Sequence, residues 1–177
     1  MREGSRQAAA LASRFRAENE ALLALAADLT EREWAMDCPD EGRPVGVVIQ
    51  HIAEGHLIVG AIVRAIAAGR PLPVQAWRTL EQGAAFNARQ ARRLAAGTRD
   101  GGLRLLGSNT ERIGRFIDRL SDEDLRRTAL GVDGLTLARQ IEGGLLGHLR
   151  GHAEAVRTAV MDARAMRSAA NHADRSP

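Results

Sequence analysis

The chain has 177 residues, a length that suits one domain with a sizeable core. It is 45% hydrophobic, with five prolines and no tyrosine, and no β-branched run of strand length stands outside the helical patterns, so an all-α protein is expected. The pI of about 10.6 overstates the basicity, because 25 basic residues, all arginine, face 22 acidic ones and leave a formal net charge of +3. With no lysine or tyrosine to titrate near pH 10, the pI rises without positive charge behind it, and it does not point to nucleic acid.

The single cysteine, Cys38, excludes an intrachain disulfide and a multi-cysteine zinc finger, and it fits a reducing cytoplasm. "MREGSRQAAALASRFRAENE" has no hydrophobic signal core. The most apolar run, "HLIVGAIVRAIAAG", is cut by Arg64 and falls short of a membrane span. A soluble cytoplasmic protein with no membrane partner is expected.

The first helix is predicted over residues 5–29, with Leu22, Leu23, Leu25 and Leu29 as apolar positions. "TERE", from Thr30 to Glu33, has capping-box spacing and predicts a short helical turn leading to Trp34. "MDCPDEGR" reads as a loop, and Pro44 suits the first position of a second long helix running to Ala68. "GRPLP" ends that helix, and a long crossover follows with a minor helix through "FNARQARRLAA". A third long helix is predicted over residues 102–120, a turn at "SDEDL", and a final helix over residues 136–167. One domain over residues 1–167 and a disordered tail over residues 168–177 are expected. Four long helices with one long connection suit a four-helix bundle that is not simply up-down-up-down.

The last helix carries the chemistry. Ile141, Leu145, His148, His152, Ala155 and Ala159 follow four-three-four spacing, which predicts a buried stripe that includes two histidines. Side chains four apart are stacked neighbours, so both imidazoles can reach one point. Two buried imidazoles side by side need two sets of partners, and a shared metal meets both needs. A third histidine from the second long helix would complete a three-nitrogen site with an open position. His51 and His56 fall on opposite margins of that helix's apolar stripe, and periodicity does not choose between them. His148 is followed by Leu149 rather than by the glutamate of a zincin, so the metalloprotease reading fails.

Glu142 and Glu154 read as solvated helix-face charges, with a supporting role behind a ligand as the alternative. Gly143, Gly147 and Gly151 each cost roughly 1 kcal/mol against alanine within a helix. Close helix packing, within the chain or across a dimer, is the expected reason, and room for a ligand the alternative. Arg112, Arg115 and Arg119 are interleaved with Glu111 and Asp118 and read as a solvated face. Cys38 reads as a spectator thiol, and Trp34 and Trp77 as packing residues at helix ends.

"RPVGVVIQHIAEGH", "FNARQARRL", "IDRLSDEDLRR" and "LLGHLRGHAEAV", in this order and spacing, resemble the DinB/YfiT-like metal-binding four-helix bundles, whose relatives include the mycothiol-dependent maleylpyruvate isomerases. The resemblance spans about residues 10–165. It implies an up-down-down-up bundle and a homodimer. It also implies a divalent metal, zinc or nickel first, held by His51, His148 and His152, since the family pattern selects His51 over His56. In studied branches it implies transferase chemistry with a low-molecular-weight thiol such as mycothiol and a small-molecule substrate. The isomerase branch is expected to carry a carboxylate at one ligand position, where this chain has histidine at all three. Two functions are therefore carried forward: a metal-dependent thiol S-transferase or isomerase, with arginines at the bundle mouth holding carboxylates, and a non-enzymatic metal- or ligand-binding dimeric bundle in stress response. A plain helical interaction module with buried neutral histidines is the third.

Overall fold

A computed structural model describes residues 5–73 and 80–173. Trp77 and residues 174–177 of the expected tail lie outside it. The described chain is helical almost throughout, with strand only at Asp37–Cys38 (β1) and Arg43–Pro44 (β2). The fold is all-α.

Helix α1, Arg6–Asp28, starts on Ser5, whose hydroxyl accepts from the Gln7 and Ala8 amides. Helix α2, Glu31–Ala35, has the expected capping box between Thr30 and Glu33. The Glu33 carboxylate also takes Arg164 (2.8 Å) and Arg167 (2.5 Å) of the last helix, which, with Arg164 foremost, hold it well below the usual carboxylate range. Helix α3 is Val45–Ala67, with Pro44 as its cap rather than its first residue. Helix α4, Leu80–Ala95, begins ahead of the expected minor helix, and α5, Arg99–Asp118, starts on the Thr98 hydroxyl. "SDEDL" forms helix α6, Asp122–Arg126, closed by a Ser121–Asp124 capping box.

The last helix departs most from expectation. Its first turn, α7, is Leu137–Arg139, capped by Thr136. The backbone then widens into a π-helix over Gln140–Gly147 and returns to α-helix as α8, His148–Ala173. The helix thus continues beyond residue 167, into what was read as tail. An extra residue taken up by a π turn rotates everything after it by up to about 100° relative to a straight α-helix. The buried seam accordingly runs through Ile141, Leu145, Leu146, Leu149, Ala153, Val156 and Val160, while His148 and His152 are half-buried beside it.

Helix α1 packs on α5, α5 on α3, α3 on α8, and α8 on α1, so four long helices close around one core. Phe15, Ile52, Leu106, Ile113 and Ile141 are among its fully buried side chains. Helix α3 is long and apolar enough to cross a membrane by length and composition, which the shorter run read from sequence did not suggest. Buried residues line it on most sides because it is the central helix of this core. Cys38 is fully buried, and burial raises its thiol above the usual range, which suits a spectator. Trp34 packs against the core with its ring over Gly46, as expected of a packing residue.

His56 is the structural histidine of α3. It is fully buried, with Nε2 2.7 Å from Asn19 Oδ1 and its ring 5.0 Å from that of Phe15, while Nδ1 has no hydrogen-bond partner among the described residues. Asn19 donates its amide to the Phe15 carbonyl, so its oxygen faces His56, and the histidine hydrogen sits on Nε2. Burial pushes the His56 pKa down to about 3. The unfolded chain therefore takes up this proton first, and stability falls as pH drops from about 6.5 towards 3, by up to about 1.4 kcal/mol per pH unit. In metal-free protein, His56→Leu is expected to shrink the stability lost between pH 7 and pH 5, read by urea unfolding, by about 2 kcal/mol.

Candidate metal centre

The three expected residues meet at one place. The ligand nitrogens of His51, His148 and His152 all lie within 4.8 Å of one another, and the ring centroids are 4.6–5.1 Å apart. His51 Nε2 and His148 Nε2 are 3.3 Å apart.

The hydrogen bonds around the cluster settle two tautomers. Gln90, on α4, donates its amide to Glu54 Oε2 at 2.9 Å, so its oxygen faces His51 Nδ1 at 2.6 Å. Nδ1 must therefore carry the hydrogen, leaving His51 Nε2 as a bare lone pair. The Glu54 carboxylate is in turn paired with Arg93 at 2.5 and 2.7 Å, and that hydrogen bond, opposed by burial, holds it below its ordinary pKa. At His152, Nδ1 is hydrogen-bonded to Glu41 Oε1. A carboxylate only accepts, so His152 Nδ1 carries the hydrogen, and in the neutral ring Nε2 is the nitrogen left with a lone pair. Burial pushes the Glu41 carboxyl up, but His152 and Arg43, the latter at 2.8 Å, outweigh it and leave the group below its usual value.

Local geometry delivers each group. The strands β1 and β2 pair antiparallel, Asp37 with Pro44 and Cys38 with Arg43. A 3-10 turn, Pro39–Glu41, closes the hairpin, and Gly42 takes a φ of 61° that L side chains rarely adopt. The turn packs on α8, which brings Glu41 to His152. On α3, Gly55 makes room for the second imidazole: a Cβ there would lie 2.4 Å from His148 Cε1.

Burial lowers the pKa of His51, and lowers that of His148 to about 4, with the neighbouring histidines adding to it. Both rings are neutral at pH 7, the state that binds a metal. A tetrahedral ion with bonds of about 2.0–2.1 Å sets its nitrogens about 3.3–3.4 Å apart, which is the His51–His148 spacing. Three imidazoles suit zinc, nickel, iron or copper. The donor set fits a divalent metal.

A cavity of about 540 Å³ opens on His148 and His152. Gly147 and Gly151 line it, and a Cβ at Gly143 or Gly151 would touch nothing. Close packing against the described residues is therefore not their reason, because none of the described helices approaches that face. Among the described lining residues there is no arginine, against the expectation that arginines would hold ligand carboxylates here. Glu142 pairs with Arg14 and Glu154 with Arg157, and neither supports a histidine. That role falls to Glu41 and Gln90. Arg115 pairs with Glu111, and Asp118 pairs with Arg16 of α1 at 2.5 Å, as on a solvated face.

The fold and site define a DinB-like helical protein with three histidines that could hold a metal. The chain belongs to the mycothiol maleylpyruvate isomerase N-terminal domain family, which it matches over residues 15–132. That span includes His51 and ends ahead of His148 and His152. Comparison with curated proteins and with solved structures returned no match.

Removing a group that orients a ligand typically costs 10–100-fold in metal affinity. Gln90→Leu is expected to weaken zinc binding by about that much with all three histidines in place. Gly55→Ala should weaken it too, by displacing the His148 ring; competition with a chelating dye checks both.

Proposed function

We propose that this protein is a metal-dependent enzyme of thiol S-transferase or isomerase type. His51, His148 and His152 would hold a divalent ion, zinc or nickel, and the ion when bound would favour the thiolate form of a low-molecular-weight thiol such as mycothiol. The observation that carries the reading is the pair of bare Nε2 atoms, on His51 and His152, whose Nδ1 hydrogens are committed to Gln90 and Glu41. The membership in a family named for mycothiol supports the choice of thiol.

The chain's own groups have separable tasks. Gln90 and Glu41 keep two rings in the metal-binding tautomer, and Gly55 leaves space for the third. The missing side chains at Gly147 and Gly151 leave space for thiol and electrophile beside the histidines. The thiol's proton leaves through the cavity to solvent. The sulfur's electron pair then forms the new carbon–sulfur bond, and the displaced pair departs on the electrophile's acceptor atom. We further propose that the four long helices run up-down-down-up, that the protein is a cytoplasmic homodimer acting on a small molecule, and that it binds neither nucleic acid nor membrane.

The test is elemental analysis of protein purified without a histidine tag or chelator, beside a His148→Ala/His152→Ala variant. Near-stoichiometric zinc or nickel, lost in the variant, is expected. Metal-loaded protein should then lower the pKa of an added thiol and accelerate its reaction with 1-chloro-2,4-dinitrobenzene. Metal without either effect leaves the non-enzymatic metal-binding bundle as the function. No metal, and no uptake of added zinc or nickel, overturns the proposal.

A further inference from the structure

Helix α4 is tied to α3 by few groups, and the central one is held by a candidate metal ligand. Among the described side chains of α4, only Gln90 and Leu94 are buried. The remaining ties of its C-terminal half are polar. Gln90 Oε1 accepts the His51 Nδ1 hydrogen at 2.6 Å, Gln90 Nε2 donates to Glu54 at 2.9 Å, and Arg93 pairs with the same carboxylate. Arg93 is itself 63% exposed, so solvent screens that pair. A cavity of about 230 Å³, bordered by Glu54, Arg93, Leu94 and Gly97, adjoins this end of the helix and leaves it loosely packed.

A helix of 16 residues is near the length at which an isolated helix is marginal in water, and one buried leucine adds little to hold it in place. Segments with few buried apolar contacts open locally before the rest of a fold. The hydrogen bond from His51 therefore carries a large share of the docking, and it lasts only while the hydrogen stays on Nδ1. In protein without an ion that hydrogen has a second place: on Nε2 it would face His148 Nε2, an acceptor 3.3 Å away, and Nδ1 would lose its bond to Gln90. An ion on Nε2 removes that alternative and fixes the ring.

We infer that the C-terminal half of α4 is the metal-responsive element of this protein: loading of the three histidines fixes it on α3, and loss of the ion releases it on residues 96–98, which join α4 to α5. The inference rests on the metal-binding part of the proposed function and needs no thiol chemistry. Coupling between two binding equilibria is reciprocal, so the factor of about 10–100 by which Gln90 strengthens zinc binding is also the factor by which zinc strengthens the docking of α4.

The test is amide hydrogen exchange, followed by mass spectrometry, on full-length protein with and without saturating zinc. Residues 88–95 are expected to exchange about 10- to 100-fold more slowly with zinc. In Gln90→Leu, brought to saturation at a higher zinc concentration, this slowing should vanish, while any slowing in the core of α1 from general stabilisation persists. Arg93→Ala, which alters a surface group in contact with no histidine, should lower zinc affinity about two- to fivefold through the same coupling. Slowing in α4 that survives in Gln90→Leu, a zinc affinity unmoved by Arg93→Ala, or no slowing in parent protein that binds zinc overturns the inference and leaves metal binding standing. Failure of the parent protein to take up zinc overturns both.

Discussion

An imidazole can offer a lone pair at one nitrogen only while the other keeps its hydrogen, and the candidate site depends on where those hydrogens are kept. At His51 the hydrogen is committed to Gln90, and at His152 to Glu41. These contacts explain otherwise disconnected features. Helix α4 reaches α3 through Gln90 and the Arg93–Glu54 ion pair, and the small hairpin before α3 turns sharply at Gly42 to lay Glu41 on α8. Without them the three rings would still be neighbours, but their tautomers would be free.

The parts of the fold legible in the sequence are those governed by local chemistry. Ser and Thr hydroxyls start α1, α2, α5, α6 and the last helix, and the capping box at Thr30 could be read directly from its spacing. The pairing of His148 with His152 was legible for the same reason, since it needs only one helical turn. His51 and His56 were not separable by periodicity, because both lie at the edge of one apolar stripe. What distinguishes them is tertiary: His56 meets Asn19 and Phe15 inside the core, whereas His51 meets Gln90 and the other two imidazoles. Glu41 and Gln90 gave no usable signal, since one sits in a loop and the other in a helix whose docking on α3 no local pattern encodes.

The π turn shows how residues that do converge can come with a burial other than the one expected. A straight α-helix from Ile141 would carry the buried stripe through His148 and His152, in competition with leucine for the core. The widened backbone over Gln140–Gly147 lets Leu149 and Ala153 take the core positions and leaves the imidazoles at the boundary between core and cavity. There His148 is shielded enough to be neutral, and both rings are open enough to be reached. The glycines on the same stretch follow this change of face. Among the described residues, Gly143 and Gly151 border open space instead of a packed neighbour.

His51 and His148 are 97 residues apart in the chain, and their nitrogens are 3.3 Å apart in space. An ion held between them would close a loop of the length for which a covalent crosslink removes roughly 4–5 kcal/mol of unfolded-state chain entropy. The single cysteine gives this protein no disulfide with which to do so. Loaded with an ion, the three-histidine cluster would act as a reversible staple tying α3 to the last helix; without one, their union is left to side-chain packing and the His51–His148 contact.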